Sequence, residues 1–184
     1  MPAAKVSRCP TFCIRGATAA SAYLVIKLAA DPPASTAVSG LWRIGNSTGS
    51  SITCHFPYDG DSNIYDDFAS NARKTVGNPT PSLASWRIVS FHSGSGVYSV
   101  YIDGVLFFTT ASNTIGFSSW PSLGRSFKQS DGSLVYLNGW MAEAVFSAAN
   151  DGTTPRQKME GYLAWKWGLT GNLAGGHPYK SSPP

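Results

Sequence analysis

The chain contains two glutamates, Glu143 and Glu160, and its remaining acids are aspartates. Hydrolysis of a glycosidic bond needs two carboxylates flanking it, about 5 to 9.5 Å apart depending on the stereochemical course. Glu143 and Glu160 fall in no shared pattern, and Asp66 and Asp67 are adjacent, so on a strand they face opposite ways. A nucleophilic serine fares no better. Gly-x-Ser-x-Gly is absent, and Ser93-Gly94-Ser95-Gly96 beside His92 reads as a hairpin loop. No catalytic residue is assigned, and the expectation is a protein that is not an enzyme.

Binding chemistry has more to work with. Asp59-Gly60-Asp61-Ser62-Asn63 offers oxygens at alternate positions, as a calcium loop begins. The glycine and glutamate that should follow at the sixth and twelfth positions are Ile64 and Ser70. A turn capped by its own Asp and Asn side chains is the plainer reading, with calcium at Asp59, Asp61 and Asn63 second to it. Sugar binding calls for an exposed ring among polar groups. Tyr58, Tyr65 and Trp120 sit in or near loops, so Tyr58, Asp59, Asp61, Asn63, Tyr65 and Trp120 form the candidate ligand-binding set. Trp42, Trp86, Trp140 and Trp167 fall inside strand or helix patterns and are expected to pack. Cys9 and Cys13 would stand about 13 Å apart in an extended strand, so free buried thiols are expected there and at Cys54. With His55 they make a poor zinc site.

These residues need a scaffold. A length of 184 residues suits one domain, and 42% apolar with 12% aromatic content makes it globular. The charged fraction is only 13%, with Ser, Thr, Asn and Gly in its place, a profile of secreted, cell-surface or virion β proteins. The net charge of +4 comes from scattered lysines and arginines, with no basic stripe interleaved with aromatics, so nucleic acid is not an expected partner. No apolar run reaches the ~18 residues of a membrane span, and residues 1–8 lack the apolar centre of a secretory signal. Packaging into a phage particle, or removal of a leader, is the expected consequence.

Short strand patterns recur at Tyr23-Leu24-Val25-Ile26-Lys27-Leu28, residues 40–45, 51–56, 63–68, 86–92, 97–102 and 139–146. Asp103-Gly104 is the pair that a two-residue type I′ hairpin turn asks for. One segment reads as helix. Thr154 is placed as N-cap, Pro155 at the first position and Gln157 as the end of a capping box, with Gly168 as the stop. Met159, Tyr162, Leu163, Lys166 and Trp167 would form its apolar stripe. The sum is an all-β antiparallel sandwich with one C-terminal helix.

From about Tyr23 to about Lys180 the chain resembles the laminin-G-like branch of the concanavalin-A-like lectin/glucanase superfamily, in the version found in tailed-phage structural and tail proteins and in bacterial surface proteins. The resemblance rests on Asp59-Gly60 with Ile64-Tyr65-Asp66-Asp67-Phe68, on Tyr101-Ile102-Asp103-Gly104, on Leu123-Gly124 and on Asn138-Gly139-Trp140-Met141-Ala142-Glu143. It rests most on Glu160-Gly161-Tyr162-Leu163-Ala164-Trp165-Lys166-Trp167-Gly168-Leu169 running to His177-Pro178-Tyr179-Lys180. It implies a two-sheet jelly roll with the helix packed outside. Retaining glucanases of that fold carry Glu-x-Asp-x-x-Glu on one strand, which this chain lacks.

The expected organisation is an N-terminal arm or edge strand over residues 1–22, a jelly roll over 23–170 including helix 155–167, and a wrapping tail over 171–184. The arm is shorter than in members of that branch, which implies an open sheet edge and association with itself or a larger particle. The expected role is a non-enzymatic structural or binding module, a capsid decoration or tail-associated protein of a virion with a glycan-binding face and no cofactor. Its partners would be other virion or surface proteins and a cell-surface glycan. The alternatives are a lectin module of a bacterial surface or secreted protein and, behind it, a degenerate glycoside hydrolase.

Overall fold

A computed structural model of the chain describes residues 14, 16–31, 38–46, 56–57, 61–127 and 133–184. Along these the strands are β1 (Ala19–Leu28), β2 (Trp42–Arg43), β3 (Ile64–Asp66), β4 (Lys74–Gly77), β5 (Arg87–Gly94) and β6 (Val97–Ile102). They continue with β7 (Val105–Thr110), β8 (Ser122–Leu123), β9 (Arg125–Phe127), β10 (Leu134–Tyr136) and β11 (Gly139–Ser147), before helix α1 (Thr153–Lys166) and a 3-10 turn at Thr170–Asn172.

Strands β11, β1, β5, β6 and β7 form one antiparallel sheet in that order. Three antiparallel pairs, β2 with β8, β3 with β4 and β9 with β10, make the opposing layer. Alternation along β1 sends Ala20, Ala22, Leu24, Ile26 and Leu28 into the core between the layers, where Leu41, Trp42, Ile64, Phe68 and Val76 meet them. Trp42 is the hub. Its ring lies 5.0 Å from Phe68 and 4.8 Å from Phe91, and its indole N–H donates to Asp66 Oδ1 at 2.7 Å. The chain is thus an all-β two-sheet jelly-roll sandwich with one helix.

The other face of β1 presents Tyr23 and Val25 to the helix, which adds Leu163 and Ala164, with Ile88 and Leu173 closing a second cluster. β1 is therefore buried on both faces, which explains its near-continuous apolar run. The hairpin turn is as the sequence demands: Asp103 has φ 51° and Gly104 φ 81°. Asp103 does more than turn the chain. Buried, it accepts from the Ile88 N–H and from Arg87, each at 3.0 Å, tying the turn back to β5.

The helix departs from expectation at its start and along its face. It begins at Thr153 with Gly152 as N-cap and no side-chain cap, so Thr154 and Gln157 make no capping box. Pro155 occupies the third position, where its missing N–H is still one of the unpaired first-turn donors. The buried face is Arg156, Glu160, Gly161, Leu163 and Ala164, while Tyr162 and Trp167 are exposed. The stripe misled because this helix buries an ion pair as well as an apolar seam. Its end is as read: Gly168 has φ 68°, and the Leu169 N–H bonds Ala164 O at 2.7 Å.

Candidate functional site

Of the expected ligand-binding residues, Tyr58 and Asp59 lie outside the described residues, as do Cys9, Cys13, Cys54, His55 and the N-terminal arm up to residue 13. Asp61, Asn63 and Tyr65 come together at β3. Asp61 Oδ1 accepts from the Asn63 N–H at 2.9 Å, and Oδ2 accepts from the Tyr65 hydroxyl at 2.5 Å. The Arg73 guanidinium sits 4.7 Å over the Tyr65 ring. The bond to Asp61, helped by partial burial, raises the Tyr65 phenol pKa. This is an Asx turn that presents a ring, a carboxylate and a cation together on the surface. Among the described residues no cluster of His, Cys, Asp or Glu could hold a metal.

Trp120 lies in the segment between β7 and β8 and is 76% exposed. The preceding chain is pinned to β2 where the Ser118 N–H bonds Ile44 O at 2.8 Å, and Ser122 pairs with Arg43. Trp120 therefore belongs to the β2 end of the smaller layer. The β3 loop group belongs to the same layer through Asp66, which holds Trp42.

Sequence reading missed two groups. The first is the outward face of β9 and β10, where Arg125 pairs with Tyr136 and Phe127 with Leu134. Arg43 reaches this face and lies 4.7 Å over the Phe127 ring. Only the alternation Leu41-Trp42-Arg43-Ile44 hinted that Arg43 points out.

The second is a buried polar network under the helix. Arg156 Nη1 donates to both oxygens of Glu160, at 2.9 and 2.7 Å, and its guanidinium lies 3.8 Å over the Tyr101 ring. Glu160 also receives Ser90 Oγ and faces His177 Nε2, each at 3.3 Å. His92 bridges Ser90 at 3.1 Å and Ser21 at 2.9 Å. Tyr23 donates to Asp151 at 2.7 Å, and its phenol pKa is raised, by burial first and by Asp151 second. Burial, with Arg156 nearby, pushes the His92 imidazole down to about 3.

Serine, histidine and glutamate in sequence suggest a hydrolytic relay, yet Ser21, Ser90, His92 and Glu160 are each at most 1% exposed. Ser21 Oγ is committed to the Ala149 carbonyl at 2.8 Å and to the Asp151 N–H at 2.9 Å. No substrate carbonyl reaches it. Glu143, the other glutamate, is held by the Trp167 indole at 2.7 Å and by Lys166 at 2.9 Å, and the Trp167 bond leads in lowering its carboxyl pKa. These carboxylates hold the helix to the sheet.

Trp140 and Trp167, expected to pack, are 48% and 41% exposed. Trp140 stands on the helix side of edge strand β11 with Lys27 5.6 Å over its ring. Trp165 is exposed and also bonds the Tyr179 carbonyl at 2.9 Å. Among the described residues no helix is long and apolar enough to cross a membrane.

No family model matches the chain. No curated protein sequence matches it either. Solved structures do. The CBM40 module of Ruminococcus gnavus IT-sialidase bound to α2,3-sialyllactose aligns over 76% of this chain and 80% of its own, with TM-score 0.53 and 13% identity. A heptameric SAP-like pentraxin from Limulus polyphemus covers 80% and 70% at TM-score 0.51 and 13% identity. Mouse laminin α1 chain domains LG4-5 cover 75% and 38% at TM-score 0.51 and 12% identity. Such identities speak for the fold alone. What this chain shares with these lectin-like domains is their jelly-roll fold.

Proposed function

We propose that the chain is a non-enzymatic glycan-binding module. The observation that carries this is the ring display on the smaller layer: Trp120 is 76% exposed, and half-buried Tyr65 bonds Asp61 through its hydroxyl with Arg73 over its ring. A ring of that size left in water has a large apolar face to offer a sugar, and the carboxylate and guanidinium beside Tyr65 can take hydroxyl hydrogen bonds. Support comes from the fold's likeness to a carbohydrate-bound module and from the absorption of Glu143 and Glu160 into structural contacts. The test is a glycan array probed with the wild type, Trp120→Ala and Tyr65→Ala. Saturable binding lost in Trp120→Ala supports the reading, and binding indifferent to both substitutions refutes it.

The module serves a larger assembly, a phage particle or, alternatively, a bacterial surface protein. One feature favours attachment. Strand β11 is nine residues long, ends the larger sheet, and has no strand on its outer side among the described residues. A long edge with a single charged residue, Glu143, is a template for strand addition. Sedimentation of a lone monomer at high concentration would count against attachment through this edge.

A further inference from the structure

Two arginines on the outward face of the smaller layer form no ion pair with another described residue, although Asp67 attracts one of them at longer range. The ion pairs among the described residues are Arg87–Asp103, Arg156–Glu160, Lys166–Glu143 and His177–Glu160, and none includes Arg43 or Arg125. Arg43 Nε is buried without any hydrogen bond. Burial pushes its pKa down, and Arg125 adds to that through like-charge repulsion, while Asp67 partly restores it. Arg43 lies over Phe127 and Arg125 stands two residues from Phe127 on β9, so one face carries two guanidiniums, and one donor of Arg43 is buried without an acceptor. A buried donor without a partner calls for an explanation, and an acceptor from outside the chain is one that its place at the surface layer allows.

The surroundings say what that would be. Arg125 and Phe127 project from the same side of β9, because Ser126 between them is buried. Across the ladder stand Tyr136, 53% exposed, and Leu134, 40% exposed. Arg43 lies 4.7 Å over the Phe127 ring, a cation–π contact that restricts where its fork can go. We propose that Arg43 and Arg125, with Phe127 and Tyr136, form a subsite for the carboxylate of an acidic sugar, a claim that rests on the glycan-binding reading above.

A guanidinium fork matches a carboxylate with two parallel hydrogen bonds, and a stacked Arg loses little freedom in making them. The tyrosine ring and leucine beside it suit the C–H face of a pyranose. A nucleic-acid strand needs a basic track running along its backbone, whereas this patch has two cations on an apolar floor.

The test titrates the full chain against uronic-acid and sialic-acid oligosaccharides, each beside its methyl ester, with neutral glycans and a thymidylate oligonucleotide of equal charge. Free acids are expected to bind at least about tenfold more tightly than their esters. Arg125→Gln, at a half-buried position, and Tyr136→Ala, at an exposed one, are expected to lose about tenfold in affinity with little change in melting. Arg43→Lys, which keeps the charge and loses the fork, should lose a similar factor. Equal binding of acid and ester, wild-type affinity in Arg125→Gln, or an oligonucleotide bound as tightly as the acids would overturn the subsite. Binding of neutral glycans alone leaves the module a lectin and removes this proposal. Binding of no glycan removes both.

Discussion

Replacing Glu160 by Ala would leave Arg156 buried at 8% side-chain exposure, with its carboxylate partner gone and only the Tyr101 ring beneath it. Breaking a buried pair by removing one partner costs about 3–5 kcal/mol, because the remaining charge is desolvated without compensation. His177 and Ser90 lose the same acceptor, so the tail and β5 loosen from the helix together. For a chain of this length each kcal/mol moves the melting temperature by roughly 2–4 °C, which gives a fall of about 6–20 °C. Calorimetric melts of Glu160→Ala and of Arg156→Met with Glu160→Leu form the decisive comparison. The apolar pair should recover most of the loss, since a buried ion pair is often replaceable by well-packed hydrophobes at little cost. A single-variant loss below about 1 kcal/mol would refute the claim that this network holds the helix.

Two further outcomes follow from the same region. His92 binds its proton at about pH 3 in the fold and near 6.5 when unfolded, so the unfolded chain holds more protons between those values. The stability from neutral His92 is complete above pH 6.5 and drains as pH falls, by up to about 1.4 kcal/mol per unit between pH 6 and 5. Urea titrations over that interval should show a flatter slope for His92→Gln, and an identical slope would contradict the assignment. Gly161→Ala would normally steady a helix by about 1 kcal/mol. Here the added Cβ meets Tyr179 Cβ at 2.5 Å, so the expected result is a loss of about 1–3 kcal/mol and faster proteolysis of the tail. Tyr179→Ala in the same chain should reverse the sign, and a stabilised single variant would show that the tail does not press on the helix.

The sequence made the sandwich legible wherever one physical rule acted alone. Alternation in β6 and the left-handed pair Asp103-Gly104 fixed the hairpin, and Gly168 fixed the helix end. Reading failed where two demands competed. The spacing predicts an apolar stripe through Tyr162 and Trp167, yet the central burial of the helix is the Arg156–Glu160 pair at i and i+4, a spacing that in sequence looks the same as an exposed pair. Lys74-Thr75-Val76-Gly77 carries no strand signal of its own, because β4 is short and finds its partner β3 only through tertiary pairing. Asp61, Asn63 and Tyr65 were near enough in sequence to be grouped. Arg43, Arg125 and Tyr136 were not, since only the register of two small ladders brings them onto one face.

The central claim is that the exposed rings and cations of the smaller layer bind sugar. Calorimetric titration of the strongest ligand on the glycan array, into the wild type and into Trp120→Ala, tests it most directly. Truncating so exposed a side chain should move stability by no more than about 0.5 kcal/mol, so any change reports binding alone. The account predicts saturable one-site binding by the wild type and at least about a tenfold loss in Trp120→Ala at equal melting temperature. Unaltered affinity in that variant, or no saturable glycan among the array, would contradict it.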